Sequence, residues 1–423
     1  MGMNDSAWEF LFDKYHILAE IEQNGQFIIS ADQIKQFREP RLMTKFDHKV
    51  NLPAIFARNN LSILPITRGD YVISSFSAYQ KFDEPDAIVE KISIPAYIQS
   101  LIPQFLVSEA IALNCANACG ILNDFLEDYA LTPTVSGRMT SGEFEFWIDT
   151  ACGIKPFTVI NSQIEIDAAY EGIHYLSLFE AKRDLSDDFL VRQLYYPFRV
   201  WNSRVTKEVK SVFLIFSNGV FHLYQYQFED PRYYNSLRLV KQKNYIIATE
   251  IYLSDIVNLL KTVPLVQEPD IPFPQADRMS RIVNLIELLN EKPMTIQDIA
   301  QEYAFDERQS YYYTSAGLYL GLVSKGCDED GNILYLLSAL GNHIMNLEYK
   351  ERQLAIVAQI LMHKVFNETL KIHLQCGEMP NKHSIIQIMK QSSLYNVDSD
   401  STYERRSSTV TGWVNWILGI IED

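Results

Sequence analysis

The stretch SQIEIDAAYEGIHYLSLFEAKRDLSDDFLVRQLYYPFRVW, residues 162–201, sets out three elements in quick succession. IEIDAAY (164–170) reads as a strand, Glu171-Gly172 lies in a turn, and YLSLFEAK (175–182) reads as the next strand. Side chains alternate sides along a strand, so Glu165 and Asp167 share one face and Glu180 and Lys182 share another. If the two strands pair as neighbours, Asp167, Glu180 and Lys182 converge. Carboxylates brought together repel and raise each other's pKa unless a cation sits between them. A hard divalent ion with oxygen ligands resolves the conflict, and Mg²⁺ binds through one or two carboxylates, waters and a substrate phosphate. A lysine beside the metal can orient or deprotonate the attacking water and neutralise charge developing on a phosphate. The chemistry indicated is metal-assisted phosphodiester hydrolysis, with Asp167, Glu180 and Lys182 as its catalytic residues.

The flanking sequence extends this unit. DDFLVRQLYYPFRVW (187–201) is an amphipathic helix carrying Gln193, and VKSVFLIFS (209–217) and VFHLYQYQF (220–228) are apolar strands. Asn218-Gly219 between them accepts positive φ and signals a tight hairpin. Upstream, EFEFWI carries Glu145, a further acid that faces either the same pocket or, as a residue of an alternating strand, solvent, and Ser136-Gly137-Arg138 reads as a turn whose arginine can meet a phosphate. Residues 31–70 carry seven Lys/Arg against four Asp/Glu, with Arg38, Arg41 and Lys45 as candidate DNA contacts, in a chain of net charge −16. Such an acidic total argues against non-specific coating of nucleic acid.

At 423 residues the chain exceeds what one hydrophobic core supports. Its 47% hydrophobic and 21% charged residues exclude a disordered, collagenous or small disulfide-stapled protein. Five scattered cysteines fit reduced thiols, and Cys115 and Cys119 lack the second Cys/His pair that a zinc site needs. With neither a signal peptide nor an apolar run of membrane length, a soluble cytoplasmic protein with no membrane partner is expected.

VPLVQEPDIPFPQAD (263–277) crowds four prolines together and reads as a linker. Beyond it the periodicity turns helical, as in RMSRIVNLIELLN (278–290). Residues 293–325 have the layout of a winged helix-turn-helix. Thr295 caps TIQDIAQEY, Phe305-Asp306 supplies the turn, and RQSYYYTSAGLYL brings Arg308, Gln309, Ser310, Tyr312 and Tyr313 toward base edges. GLVSK and ILYLLS flank a loop with three acids, which argues against that hairpin touching phosphate. HSIIQIMKQ (383–391) and STYERRSSTVTGWVNWILGII (401–421) suggest a second, tandem unit, with Arg405 and Arg406 ahead of a stripe of Val410, Trp413, Trp416, Ile417 and Ile420.

The constellation of Asp167 and Glu180-Ala181-Lys182 resembles the PD-(D/E)xK nuclease motif, with Ile166 where proline is usual. Gln193 stands where several nucleases of that superfamily keep a polar residue facing the site. REPRLMTKFDH (38–48) and LSILPITRGDYVI (61–73) resemble a segment of bacterial type II restriction endonucleases. The resemblance implies an α/β PD-(D/E)xK nuclease domain (1–262, core about 100–260), the linker (263–276) and a mostly helical winged-helix recognition region (277–423). It further implies a Mg²⁺ cofactor on Asp167 and Glu180, with Glu165 or Glu171 as an added ligand. Double-stranded DNA would be the substrate, cut to leave 5′-phosphates by a homodimer or a transient dimer, and a separately encoded methyltransferase would protect the host. A methyl-directed nuclease and a non-cleaving regulator with a relic nuclease domain are the alternatives. Intact Asp167, Glu180 and Lys182 speak against the relic.

Overall fold

The structure, a computed structural model, describes residues 3–83, 89–95, 97–101, 108–247, 251–302 and 307–421. The N-terminal part contains α1 (Met3–Lys14), α2 (Ile17–Asn24), β1 (Phe27–Ser30), α3 (Ala31–Lys35), α4 (Pro40–Thr44), α5 (Ala54–Arg58), β2 (Ser62–Pro65) and β3 (Asp70–Ser74). Its strands form an antiparallel sheet in the order β1-β3-β2. Trp8, Phe12 and Phe56 meet edge-on in its core, with Trp8 and Phe56 centroids 4.8 Å apart. Ser30 and Gln33 close a capping box that starts α3.

The middle part runs through β4 (Tyr79–Lys81), β5 (Val89–Ile92), α6 (Glu109–Ala118), α7 (Ile121–Leu126), β6 (Thr132–Thr140), β7 (Glu143–Thr150) and β8 (Gly153–Ile160). It continues with β9 (Gln163–Glu171), β10 (Tyr175–Lys182), β11 (Asp188–Leu190), α8 (Arg192–Asn202), β12 (Glu208–Ser217), β13 (Val220–Phe228), β14 (Leu237–Ile247) and α9 (Leu253–Thr262). Seven of these strands make one mixed sheet, ordered β5-β14-β13-β12-β10-β9-β6. The β10–β12 pair is parallel, with α8 in the crossover, whereas β9–β10 and β12–β13 are antiparallel hairpins. β12 is buried along nearly its whole length, as a central parallel strand with both faces covered must be. One apolar layer packs α8 onto the sheet and another packs α6 and α7 onto the opposite face. Asn218 and Gly219 turn the β12–β13 hairpin with φ of 51° and 77°.

The C-terminal part is largely helical: α10 (Met279–Leu289), α11 (Ile296–Glu302), α12 (Glu307–Tyr319), β15 (Val323–Cys327), β16 (Ile333–Leu337), α13 (Ala339–Met345), α14 (Tyr349–Leu361), α15 (Lys364–Cys376), α16 (Lys382–Lys390) and α17 (Asp400–Gly419). Three helices followed by the β15–β16 hairpin take the order read from the sequence; the Phe305-Asp306 turn lies outside the described residues. Val410, Trp413 and Ile417 of α17 are buried as expected, Trp416 and Ile420 only half-buried. α16 and α17 join the same core as α10, α12 and α14 instead of building a second unit.

Residues 263–276 connect the halves without regular secondary structure, yet they do not hang free. Phe273 and Ala276 are buried, the Trp413 indole donates to the Ala276 carbonyl at 2.8 Å, and the Val266 amide donates to Met362 O at 3.0 Å. The proline-rich stretch is a packed strap on the helical core, not a tether. Among the described residues no helix is long and apolar enough to cross a membrane.

Candidate active site

The β9–β10 ladder runs from Glu171–Leu176 to Ala168–Phe179 and stops there. On the other side of β9, the register with β6 shifts between Val135 and Gly137, opposite the same point. Ile164, Ile166 and Ala169 pack in the α8 layer while Ala168 and Tyr170 face the α6 layer, so the alternation slips by one residue at Asp167–Ala168. A bulge of this kind re-aims one side chain, and here it is that of Asp167. Freed from the ladder, the Asp167 carboxylate accepts a hydrogen bond from the Ala181 amide at 2.8 Å.

Ala181 is flanked by the other two residues of the triad. Glu180 Oε1 accepts from Lys182 Nζ at 2.6 Å and from Gln193 Nε2 on α8 at 2.8 Å. Lys182 also stands 3.8 Å from a Glu109 carboxylate oxygen, at the start of α6. Glu180 and Lys182 side chains are only 11% and 16% exposed, so their charges are felt at low screening. Burial, reinforced by the charges of Asp167 and Asp47, pushes the Glu180 carboxyl up to about 8 despite Lys182. Burial works against the Lys182 cation too, but Glu180, Glu109, Asp167 and Asp47 outweigh it and hold the amine well above its usual value. Burial likewise raises Glu109.

These residues line a cleft of about 860 Å³ to which all three parts of the chain contribute. The N-terminal part supplies Arg41, Lys45, Asp47 and His48, and α11 supplies Asp298 and Gln301. Asn51 Nδ2 donates to the Gln301 carbonyl at 2.9 Å, which bridges the two outer parts. His48 pins the N-terminal wall to the middle part: Nδ1 lies 2.6 Å from Asp188 O and Nε2 lies 3.4 Å from Asp184 Oδ2. The hydrogen bond to Asp188 and the charge of Asp184 raise the His48 pKa although burial opposes it.

The other sequence-derived candidates separate by location. Glu165 lies on the rim of the cleft in a half-exposed ion pair with Arg138 at 3.2 Å. Arg138 belongs to β6 and not to a turn, because the bulged strand absorbs the glycine at 137, φ +89°. Glu171 is no part of the cleft: it sits at the other end of β9, roughly 13 Å along the strand from Asp167, and pairs with Lys207 at 2.8 Å. Glu145 is exposed on β7, which pairs with β8 apart from the main sheet. Arg41 and Lys45 reach the cleft, but Arg38 turns back to Asn4 at 2.5 Å.

On α12, Arg308 and Gln309 are exposed and Tyr312 half-exposed, whereas Ser310 and Tyr313 are buried and face the core, not the surface expected of a DNA contact. Tyr311, 52% exposed, takes their place on the outer face. Arg405 is exposed, but Arg406 bonds the Phe273 carbonyl and belongs to the strap. Cys115 on α6 and Cys119, which caps its C-terminal end, face each other at 3.9 Å.

Among the described residues, no group of three or more His, Cys, Asp or Glu is placed to hold a metal ion. Asp167 and Glu180 are the carboxylates that the split end of the hairpin brings into the cleft, oxygen donors of the kind that Mg²⁺ takes while keeping most of its waters. Sequence reasoning missed Glu109, whose place after Ser108 reads as ordinary helix capping, and His48, whose partners lie about 140 residues away.

Three family models, each for a domain of unknown function, match consecutive stretches of the chain: DUF6996 over residues 5–73, DUF6997 over 74–246 and DUF7226 over 281–422. No curated protein and no solved structure matches it. The chain is thus similar to three families whose boundaries follow its own parts, the first ending in β3 and the last beginning in α10, and the cleft lies where the three stretches meet.

Proposed function

We propose that the chain is a Mg²⁺-dependent DNA endonuclease of PD-(D/E)xK type with a C-terminal winged-helix reader, acting in restriction of foreign DNA. The observation that carries this reading is the meeting of Asp167, Glu180 and Lys182 at the split end of one hairpin, backed by Gln193, inside a cleft. Asp167 and Glu180 would hold Mg²⁺, which supplies Lewis-acid polarisation of a phosphate oxygen and an acidified water. Gln193 and Lys182 fix the Glu180 carboxylate. The Lys182 ammonium stands where charge develops as water attacks phosphorus and the P–O3′ bond breaks, leaving a 5′-phosphate and a 3′-hydroxyl. Arg41 and Lys45 at the mouth draw in the phosphate backbone. Arg308, Gln309 and Tyr311 on the outer face of α12 read the major groove. Cutting both strands requires two such sites, hence two copies of the chain on DNA, and a separate methyltransferase to protect host sites. On this reading the reaction would take place in the cytoplasm, with the DNA.

The test is digestion of methylated and unmethylated plasmid and phage DNA by wild type and Lys182→Ala, in Mg²⁺ and in EDTA. Discrete fragments that require both Mg²⁺ and Lys182 are expected, with the variant slower by about 10²–10³-fold or more. DNA binding without cleavage of any substrate overturns the enzyme reading and favours a regulator. Which substrate is cut separates ordinary from methyl-directed restriction.

A further inference from the structure

The residues that follow Lys182 are held by the other half of the molecule. α10 is buried all round, as a helix between two bodies must be. Ile282, Val283, Leu285, Ile286 and Leu289 enter the C-terminal core. A polar stripe on the same helix faces the nuclease half. Asn284, 2% exposed, donates to Arg183 O at 2.7 Å and to Ser217 Oγ at 3.0 Å, and accepts from the Leu185 amide at 3.3 Å. One turn earlier, Arg281 pairs with Asp187 at 2.6 Å. One turn later, Glu287 accepts from Ser217 Oγ at 2.9 Å and the Asn218 amide at 3.0 Å, and Glu291 pairs with Arg183 just beyond the helix.

Segment 183–187 is the direct continuation of β10, and Ser217-Asn218 ends the strand parallel to it. The C-terminal ends of β10, which carries both Glu180 and Lys182, and of its parallel neighbour β12 are therefore tied to α10. α10 in turn packs on α12, the helix whose outer face carries Arg308 and Tyr311. We propose that Asn284 is a positioning residue for Lys182, holding the end of β10 against the helix on which α12 packs. The inference rests on the nuclease reading above for its kinetic consequence, but not for its structural one. A loosely held 183–185 lets β10 fray from its end and withdraws the lysine from Glu180. Side chains that reach the chemistry only through such supports change turnover far more than affinity.

The experiment uses the full chain, as wild type, Asn284→Ala, Asp187→Ala and Lys350→Ala. Amide exchange of residues 181–187 and cleavage at saturating DNA are followed together with DNA affinity. Asp187 is the exposed partner of the same clamp, 66% exposed, and so a milder change than the loss of the buried Asn284. Lys350 pairs with Asp255 at 2.8 Å, away from the segment, and controls for general weakening. Expected are exchange at 183–185 at least tenfold faster in Asn284→Ala, kcat down at least tenfold there and about threefold in Asp187→Ala, and affinity within twofold throughout. Lys350→Ala leaves kcat and segment exchange unchanged. Unchanged exchange at 183–185 in both clamp variants, or equal loss of kcat and affinity, overturns the proposal. If the wild type cuts nothing, the nuclease reading fails separately, and the exchange data still decide the clamp.

Discussion

His48 illustrates how one side chain joins distant segments. Its ring is 3% exposed and lies between Asp184 and Asp188 on the opposite wall of the cleft. Because its pKa in the fold is raised above the ordinary 6.5, protonation is favoured by folding. The stabilisation is full below about pH 6.5, where the unfolded imidazole is charged too, and is lost as pH rises through the raised value. The stability difference between wild type and His48→Gln, measured by urea unfolding, is accordingly expected to be larger at pH 6 than at pH 9. An equal difference at both would show that the charge contributes nothing. Asp167, Glu180 and Lys182 were legible in the sequence because strand alternation and a short turn are local rules. The bulge that re-aims Asp167 was not, since it depends on how β6 meets β9.

At the scale of elements, α12 shows the limit of pattern reading. The run SYYYT offers no apolar stripe that tells the inner tyrosine from the outer ones. Packing against α10 and β15 buries Tyr313 and leaves Tyr311 outside. Arg308→Ala and Tyr311→Ala are each expected to weaken DNA binding by about 1–3 kcal/mol, with the arginine also lowering the salt dependence. Tyr313→Ala is expected to act on folding instead, by about 3–5 kcal/mol in denaturant titration. The Asn218-Gly219 turn was fully legible, because positive φ is a local demand. A Cβ at Gly219 would in addition stand 3.0 Å from the Tyr349 ring. Gly219→Ala is expected to cost about 1–2 kcal/mol from backbone strain, read as a lower unfolding midpoint.

For the whole molecule, the change from strand to helix near residue 263 was plain in composition, but the role of the proline-rich stretch was not. Prolines signal a break in secondary structure and say nothing about what the chain between them touches. Phe273 lies 5.6 Å from the stacked Phe366 ring, inside the helical core. Phe273→Ala is expected to destabilise that half by about 3–5 kcal/mol in thermal or urea unfolding, where a free linker would show no change.

The cleft itself was invisible in the sequence, since its walls come from residues near 41–48, 109, 165–193 and 298–301. That construction limits how such a protein can be rearranged over generations. The middle stretch, transferred by itself into another gene, would take the carboxylates and leave behind the jaw that carries Arg41 and the helix that carries Asn284. Recombination that exchanges the C-terminal half must keep the polar stripe of α10 or release the strand ends at the cleft, whereas the outer face of α12 makes no such demand.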